Sequence, residues 1–581
     1  MNRDSIEQGA IPKRPRSAVS RRGFLGRLGA TPLAAAAGTG IPSWEALASS
    51  SGLSGKSAES SKGLLPRRLR AFNVRLRAAA AEAQLPAVEQ VSNGDEERYS
   101  NKIGSFSKGL PHNGRGEVNL DAYQRLRDAL RSEKPEDFEL IPLGSPDPVR
   151  QRKLVNPQAS MAFDLQGTDS HQLVIPPAPA FASAETAGEM VELYWQALLR
   201  DVPFTEYGWS SLAGSAVTEL SGLSDFRGPK RNGGVTPDTL FRGLTPGDVS
   251  GPYVSQFLWK AVPFGAQFVE QRMRCTRAGI CYGANLQEWL EIQNGSAPVR
   301  PAQYELQRRY PVCGRDLAEW VHMDVLYQAY FNAALILTAP PDPKDDVTGG
   351  GMGAPVDPGN PYANSRTQDG FGTFGMPHWM ALLAEVSSRA LKAVWFQKWQ
   401  VHRRLRPEEY GGRIHHMRLS SVFNYPVPAE VLQSAAVEMS FRQHGSYLLP
   451  LAFPEGSPLH PAYGAGHATV AGACVTIVKA FFDESYVIPD PVVASRDGLS
   501  LMPYRGPGWD KLTVGGELNK LASNIAIGRN FAGIHWRTDY SASIRLGEAV
   551  AISILRGQKL TYNETSPVFR FTSFDGMPVE I

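Results

Sequence analysis

Two histidines stand on glycine-marked segments of this chain. His467 ends the run Gly464-Ala465-Gly466-His467, and His535 follows Gly533 and Ile534, six residues after Arg529. Upstream, the stretch 398–407 opens with Lys398 and closes on Arg406-Pro407, with Arg403 and Arg404 between them. Cations, a turn that exposes backbone N–H groups and two imidazoles are the components of a pocket for a tetrahedral oxyanion. Singly they say little, because glycine at a helix entry is common and an isolated histidine is more often a hydrogen-bonded core residue than a ligand. The order and the spacing carry the reading.

Lys398 and Arg406 lie eight positions apart, which on a helix is an offset of about 80°, so both can reach one side. Pro407 biases the chain to leave that helix and puts Arg406 at its end. Arg403 and Arg404 read as a solvated basic face. The glycines at 464 and 466 lead into an apolar helical run, which turns the Gly466 N–H and the positive end of the helix dipole toward an anion. Arg529 and His535 would sit about 240° apart on an unbroken helix, so sharing a ligand requires a bend, and Gly533 offers the place for one. Asp539, one turn after His535, can hold one imidazole N–H and leave the other nitrogen free to bond. His460, followed by Pro461, belongs on the approach loop as a further imidazole.

In this order the residues resemble the three-part signature of the vanadium-dependent haloperoxidases and the type-2 phosphatidic acid phosphatases: lysine, then Arg-Pro; Gly-His after a small-residue turn; arginine, five residues, histidine, three residues, aspartate. Seven residues separate Lys398 from Arg406-Pro407 here, whereas the phosphatases usually have six. The stretches 395–403, 460–463, 521–529 and 321–330 look like the algal-type bromoperoxidases, while the N-terminal third adds little to the match. The resemblance implies vanadate as cofactor, bonded by His535, with Lys398, Arg406, Arg529, the Gly466 N–H and His467 around its oxygens and Asp539 behind the ligand. It implies His467 as acid/base, Lys398 as the group that polarises peroxide, and His460 as the histidine typical of bromide enzymes. Hydrogen peroxide, bromide or iodide and small organic acceptors would be the substrates, and a homo-oligomer the assembly. The usual serine before Gly-His is Ala465 in this chain. A phosphatase with His535 as nucleophile is the alternative, and a non-catalytic anion-binding protein the more remote one.

The elements that must position these groups read as helices. Apolar residues recur at three and four over 185–201, 320–338, 379–405, 467–482, 515–527 and 540–556, and strand-like alternation is scarce. The expectation is an all-α protein with two four-helix-bundle-like cores and long irregular loops. Its catalytic region spans 181–581, with the anion site inside 398–539. Residues 49–180 read as a Ser/Gly-rich flexible leader, as far as 62, followed by an irregular wrap with a few short helices. Residues 1–48 resemble a twin-arginine export signal, with Arg21-Arg22, a mild apolar run and Ala46-Leu47-Ala48 as cleavage site. That predicts a periplasmic or secreted mature chain without a membrane span.

Composition excludes some classes. With 60 basic and 57 acidic residues the net charge is +3, too small for nucleic-acid binding by bulk charge. The four cysteines, Cys275, Cys281, Cys313 and Cys474, contain no C-x-x-C, which disfavours a zinc ribbon or c-type haem. An oxidising compartment permits a Cys275–Cys281 disulfide, with free thiols the equal alternative. Asp342, Asp345, Asp346 and Asp357 could ligate a structural calcium but lack EF-hand spacing, so solvated loop carboxylates are the better reading.

Overall fold

The computed structural model describes residues 58–341, 351–564 and 568–581. Thirteen helices of seven residues or more are described: α1 (Ala58–Ala83), α2 (Leu120–Ser132), α3 (Ala184–Leu199), α4 (Ser211–Gly222), α5 (Leu286–Gln293), α6 (Gly314–Trp320), α7 (Gln328–Thr338), α8 (Met376–Phe396), α9 (Pro407–Leu419), α10 (Ala435–His444), α11 (Gly466–Phe481), α12 (Val514–Phe531) and α13 (Arg537–Lys559). Among the described residues the only sheets are three antiparallel pairs of three-residue strands, at 262–269, 492–503 and 570–580. The fold is therefore all-α in substance, as the periodicity predicts. Residues 71–581 form one compact unit.

Helix α11 is its centre. Fifteen of its sixteen residues are buried and His467 is the exception, the pattern of a helix enclosed on all sides. It packs against α8, α12 and α13. The α11–α13 crossing is close because glycines face carbonyls on both helices: a β-carbon at Gly472 would lie 1.9 Å from the Ile544 oxygen, and one at Gly547 1.9 Å from the Thr469 oxygen. The turn that enters α11 is tied to α13 as well, the Ala465 N–H donating to Ser543 Oγ at 2.8 Å. A second, smaller core gathers Phe106, Tyr123, Leu126, Ile141 and others from the N-terminal wrap around Trp399. The wrap thus packs against the residue next to Lys398.

Several sequence expectations need correction. The helix expected over 320–338 is two helices, α6 and α7, with residues 321–327 out of helical register between them. The helix expected over 379–405 ends at Phe396 and continues as one π-helical turn, Gln397–His402, closed by Arg403 in the left-handed region at φ 37°. The stretch read as a flexible leader is helical from Ala58, while the export signal and residues 49–57 lie outside the described residues. All four cysteines are free, and Cys281 Sγ meets the Arg200 guanidinium at 3.6 Å. Asp342, Asp345 and Asp346 also lie outside the described residues. Asp357 is buried instead of solvated: it accepts the Gly359 N–H at 2.7 Å, and burial raises its pKa to about 6. None of the described helices is long and apolar enough to cross a membrane.

Candidate active site

The π-helical turn directs Lys398 inward, where its Nζ donates to the carbonyls of Pro461 (2.6 Å) and Ala462 (3.0 Å). The same loop receives Arg406, whose Nε donates to the His460 carbonyl at 2.9 Å and whose second terminal nitrogen meets His460 Nδ1 at 2.9 Å. Lys398 and Arg406 therefore converge, but not as neighbours on one helix. The π turn and the left-handed Arg403 intervene, and Arg406 caps α9, where its own N–H is taken by Glu409 at 2.7 Å. Arg529 comes from the last turn of α12 and donates to the Val321 carbonyl at 2.8 Å. Beyond α12, Gly533 takes φ 81°, the bend the spacing required, and returns the chain so that His535 faces Arg406.

His535 has both ring nitrogens assigned by its surroundings. Nδ1 lies 2.7 Å from Asp539 Oδ2 and Nε2 lies 2.9 Å from an Arg406 terminal nitrogen. A guanidinium can only donate, so Nε2 carries the lone pair and Nδ1 the proton. Burial, followed by the charges of Arg406, Lys398 and Arg529, holds the His535 pKa well below its ordinary value, and the imidazole is neutral. Burial also drives the Lys398 pKa well below the usual lysine range, and the pKa of Arg406 and of Arg529 down to about 10 each, in every case helped by a neighbouring cation or opposed by a carboxylate. Three buried cations thus share a pocket, and Asp539, the carboxylate that acts on both Lys398 and Arg406, is already occupied by His535 and Arg404. Arg529 Nε is buried with no hydrogen-bond partner. Leaving such a group unpaired costs several kcal/mol unless an anion arrives, so the donor set fits a multiply charged oxyanion.

His467, the second residue of α11, is the most accessible of the group, with its side chain 23 % exposed. Its Nε2 lies 3.2 Å from Asp324, leaving Nδ1 free. Gly466 begins α11 and presents its N–H at the positive end of the helix. Ala465 is buried at the N-cap, and its own N–H goes to Ser543 Oγ at 2.8 Å. His460 is buried, set against Trp395 at a ring distance of 4.9 Å, and its pKa is held well below normal by burial and by Lys398 and Arg406. Lys398, Arg406, His460, Arg529, His535 and Asp539 are therefore brought together, and His467 is joined to them through Asp324 and the 321–327 loop.

The structure adds three residues and overturns one reading. Asp324, 143 positions from His467 in the chain, stands in the loop that interrupts the expected helix. Phe453 underlies Arg529 with the guanidinium 5.4 Å from its ring. Arg404 is not part of a solvated face: it is 2 % exposed and bridges Glu189 (2.8 Å) and Asp539 Oδ1 (3.2 Å). Asp539 consequently has His535 on one oxygen and Arg404 on the other. Burial raises its pKa, and Arg404 with the Trp536 N–H opposes that rise. Arg403 is half-buried, with its guanidinium on Glu96. No local pattern distinguishes Arg404 from Arg403; only the fold does.

Fold and site together define a helical-bundle enzyme built around a buried oxyanion pocket with a free imidazole nitrogen. Residues 378–563 match the family described as the VCPO second helical-bundle domain. The chain is 36 % identical to the vanadium-dependent bromoperoxidases of Corallina pilulifera and Corallina officinalis, covering 88 % of this chain and 98 % of each relative. It is 34 % identical to that of Ascophyllum nodosum, over 87 % of this chain and 91 % of the relative. Among solved structures, the homohexameric second vanadate-dependent bromoperoxidase of Ascophyllum nodosum superposes with a TM-score of 0.82 at 32 % identity, covering 89 % of this chain and 90 % of that one. The chain belongs to the vanadium-dependent bromoperoxidase family. The match reaches well beyond the C-terminal half in which the sequence resemblance was concentrated, and it does not favour the phosphatase alternative.

Proposed function

We propose that this protein binds vanadate at His535 and uses hydrogen peroxide to oxidise bromide and iodide to hypohalous acid, which halogenates small organic acceptors. The observation that carries the reading is the neutral His535 Nε2, whose lone pair takes an Arg406 N–H within a buried cluster of three cations in which Arg529 Nε has no partner. His535 would be the ligand to vanadium, and Lys398, Arg406 and Arg529, with the Gly466 N–H, would hold the oxygens. Bound vanadate would supply a Lewis-acidic vanadium(V) centre that activates peroxide without changing oxidation state. Asp539 keeps the proton on His535 Nδ1 and so keeps Nε2 available. His467 moves a proton at its free Nδ1, oriented by Asp324. Lys398, stripped of solvent, concentrates positive charge where the reacting oxygens must lie. His460, neutral and against Trp395, fits the role of the histidine found in bromide enzymes.

The homohexameric relative supports a homo-oligomer for this chain as well. The Arg21-Arg22 pair, the apolar run after it and Ala46-Leu47-Ala48 support export by the twin-arginine route.

The test is bromide oxidation by purified protein with and without added orthovanadate. Activity is expected only with orthovanadate. His535→Ala should abolish it together with vanadate binding, while His467→Ala should retain most of the binding and lose roughly 10²–10⁴ in rate. Vanadate-loaded protein that hydrolyses phosphate esters and leaves bromide untouched would overturn the reading.

A further inference from the structure

The loop 321–327 touches the site twice, through the Val321 carbonyl on Arg529 and through Asp324 on His467. Between those two contacts stands Met323, 60 % exposed. Met323 and Asp324 both line a cavity of about 390 Å³, with Met273, Arg272, Arg274 and Trp320 among its other walls. Lys398, Arg406, Arg529, His460 and His535 are each at most 7 % exposed, whereas the His467 side chain is 23 % exposed, and its partner Asp324 lines this cavity. Met323 is thus the chain neighbour of the carboxylate that holds His467.

We propose that Met323 is a self-modification site, converted to the sulfoxide by the hypobromous acid the enzyme makes when organic acceptor is scarce. The inference rests on the peroxidase reading above. The sulfur lone pair takes bromine from HOBr and the hydroxyl leaves. Water oxygen then replaces bromine on sulfur, and bromide departs. The net change is R₂S + HOBr → R₂SO + H⁺ + Br⁻: sulfur loses two electrons, bromine gains them, and bromide returns to the pocket. The modification turns an apolar side chain beside Asp324 into a polar one, and it places the thioether of Met323 ahead of exposed methionines away from the cavity as an acceptor of the product.

Met577 supplies the internal control, because it is 63 % exposed and is not part of the cavity wall. Holoenzyme would be run with bromide and limiting peroxide, with free methionine in excess to consume oxidant that reaches bulk solution, and both positions quantified by peptide mass spectrometry. Met323 sulfoxide is expected to run severalfold ahead of Met577, to require bromide and vanadate, and to lose its lead when reagent hypobromite is added to vanadate-free protein. Equal oxidation at the two positions during turnover would overturn the proposal. So would oxidation of Met323 that persists without bromide, or the same bias from reagent hypobromite. A parallel bromination assay on a phenolic dye separates the two failures: dye bromination without a Met323 lead removes this inference alone, and absence of dye bromination removes the peroxidase reading with it.

Discussion

Ala465 occupies the N-cap of α11, a position where serine would do two things at once. Its oxygen could accept a backbone N–H from the first turn, worth about 0.5–2 kcal/mol, and its proton could go to the bound oxyanion, worth about 1.5–3 kcal/mol. Ala465→Ser is therefore expected to raise the melting temperature of the vanadate-free protein and to lower the vanadate concentration for half-maximal activation. kcat should move little, since the resting state is stabilised as much as the transition state. A higher melting temperature with an unchanged vanadate requirement would show that residue 465 caps the helix without facing the oxyanion. Arg404 is the second residue with an argument of its own. Arg404→Met leaves Asp539 and Glu189 buried without their cation, at a cost of about 3–5 kcal/mol, and removes the charge that keeps Asp539 ionised behind His535. Arg404→Lys should recover part of both losses. Equal vanadate affinity in wild type and Arg404→Met, by titration, would end the assignment.

Among the elements, the 321–327 break has the clearest physical cause. Nothing in Val321-His322-Met323-Asp324 stops a helix by propensity; the loop opens because three tertiary bonds outweigh continued helix. Val321 gives its carbonyl to Arg529, Asp324 goes to His467, and His322 lies 2.7 Å from Glu455 and 3.5 Å from Glu319. His322 also stacks on Phe453 at 3.9 Å, the ring that underlies Arg529. Burial pulls the His322 pKa down, but the two carboxylates prevail and raise it to about 9. A histidine raised on folding adds stability that is complete below its unfolded value, near 6.5, and is lost as pH climbs through about 9. The rise corresponds to at most about 3.5 kcal/mol. Urea unfolding should accordingly show wild type more stable than His322→Gln at pH 6, with the gap closing by pH 10. A gap that stayed constant across that range would mean that packing on Phe453, and not charge, is what His322 contributes.

On the scale of the molecule, the N-terminal wrap is part of the site's foundation. Lys108, fully buried, donates to Glu408 (2.5 Å), to the Ser457 carbonyl (2.6 Å) and to the Glu455 carbonyl (3.1 Å), and Glu408 in turn accepts the Ser457 N–H at 2.9 Å. This cluster ties the start of α9, next to Arg406, to the 455–460 loop that holds Arg406 through His460. Lys108→Met should destabilise by about 3–5 kcal/mol because Glu408 is left charged and unpaired, and should weaken vanadate binding although no site residue has changed. The double variant Lys108→Met/Glu408→Gln should regain part of the stability. A single variant as stable as wild type in urea would show that the wrap is dispensable to the pocket.

Helical periodicity, the glycines at 464, 466 and 533 and the order of lysine, arginines and histidines were enough to read an all-α protein and the cations and imidazoles that converge at one place. These are local signals, and each rests on residues close in sequence: Asp539 one turn from His535, Gly533 between His535 and Arg529, Pro407 after Arg406. What the tertiary structure alone decided is everything set by approach across long separations. Asp324 reaches His467 only because tertiary bonds break a helix that periodicity continues. Arg404 is buried and Arg403 half-buried according to which carboxylate each meets, Glu189 and Asp539 or Glu96. The wrap matters because Lys108 finds Glu408, 300 residues on. A charged side chain shows in sequence as charge. Whether it is solvated, paired or poised against an oxyanion depends on the dielectric and the partners that the fold supplies.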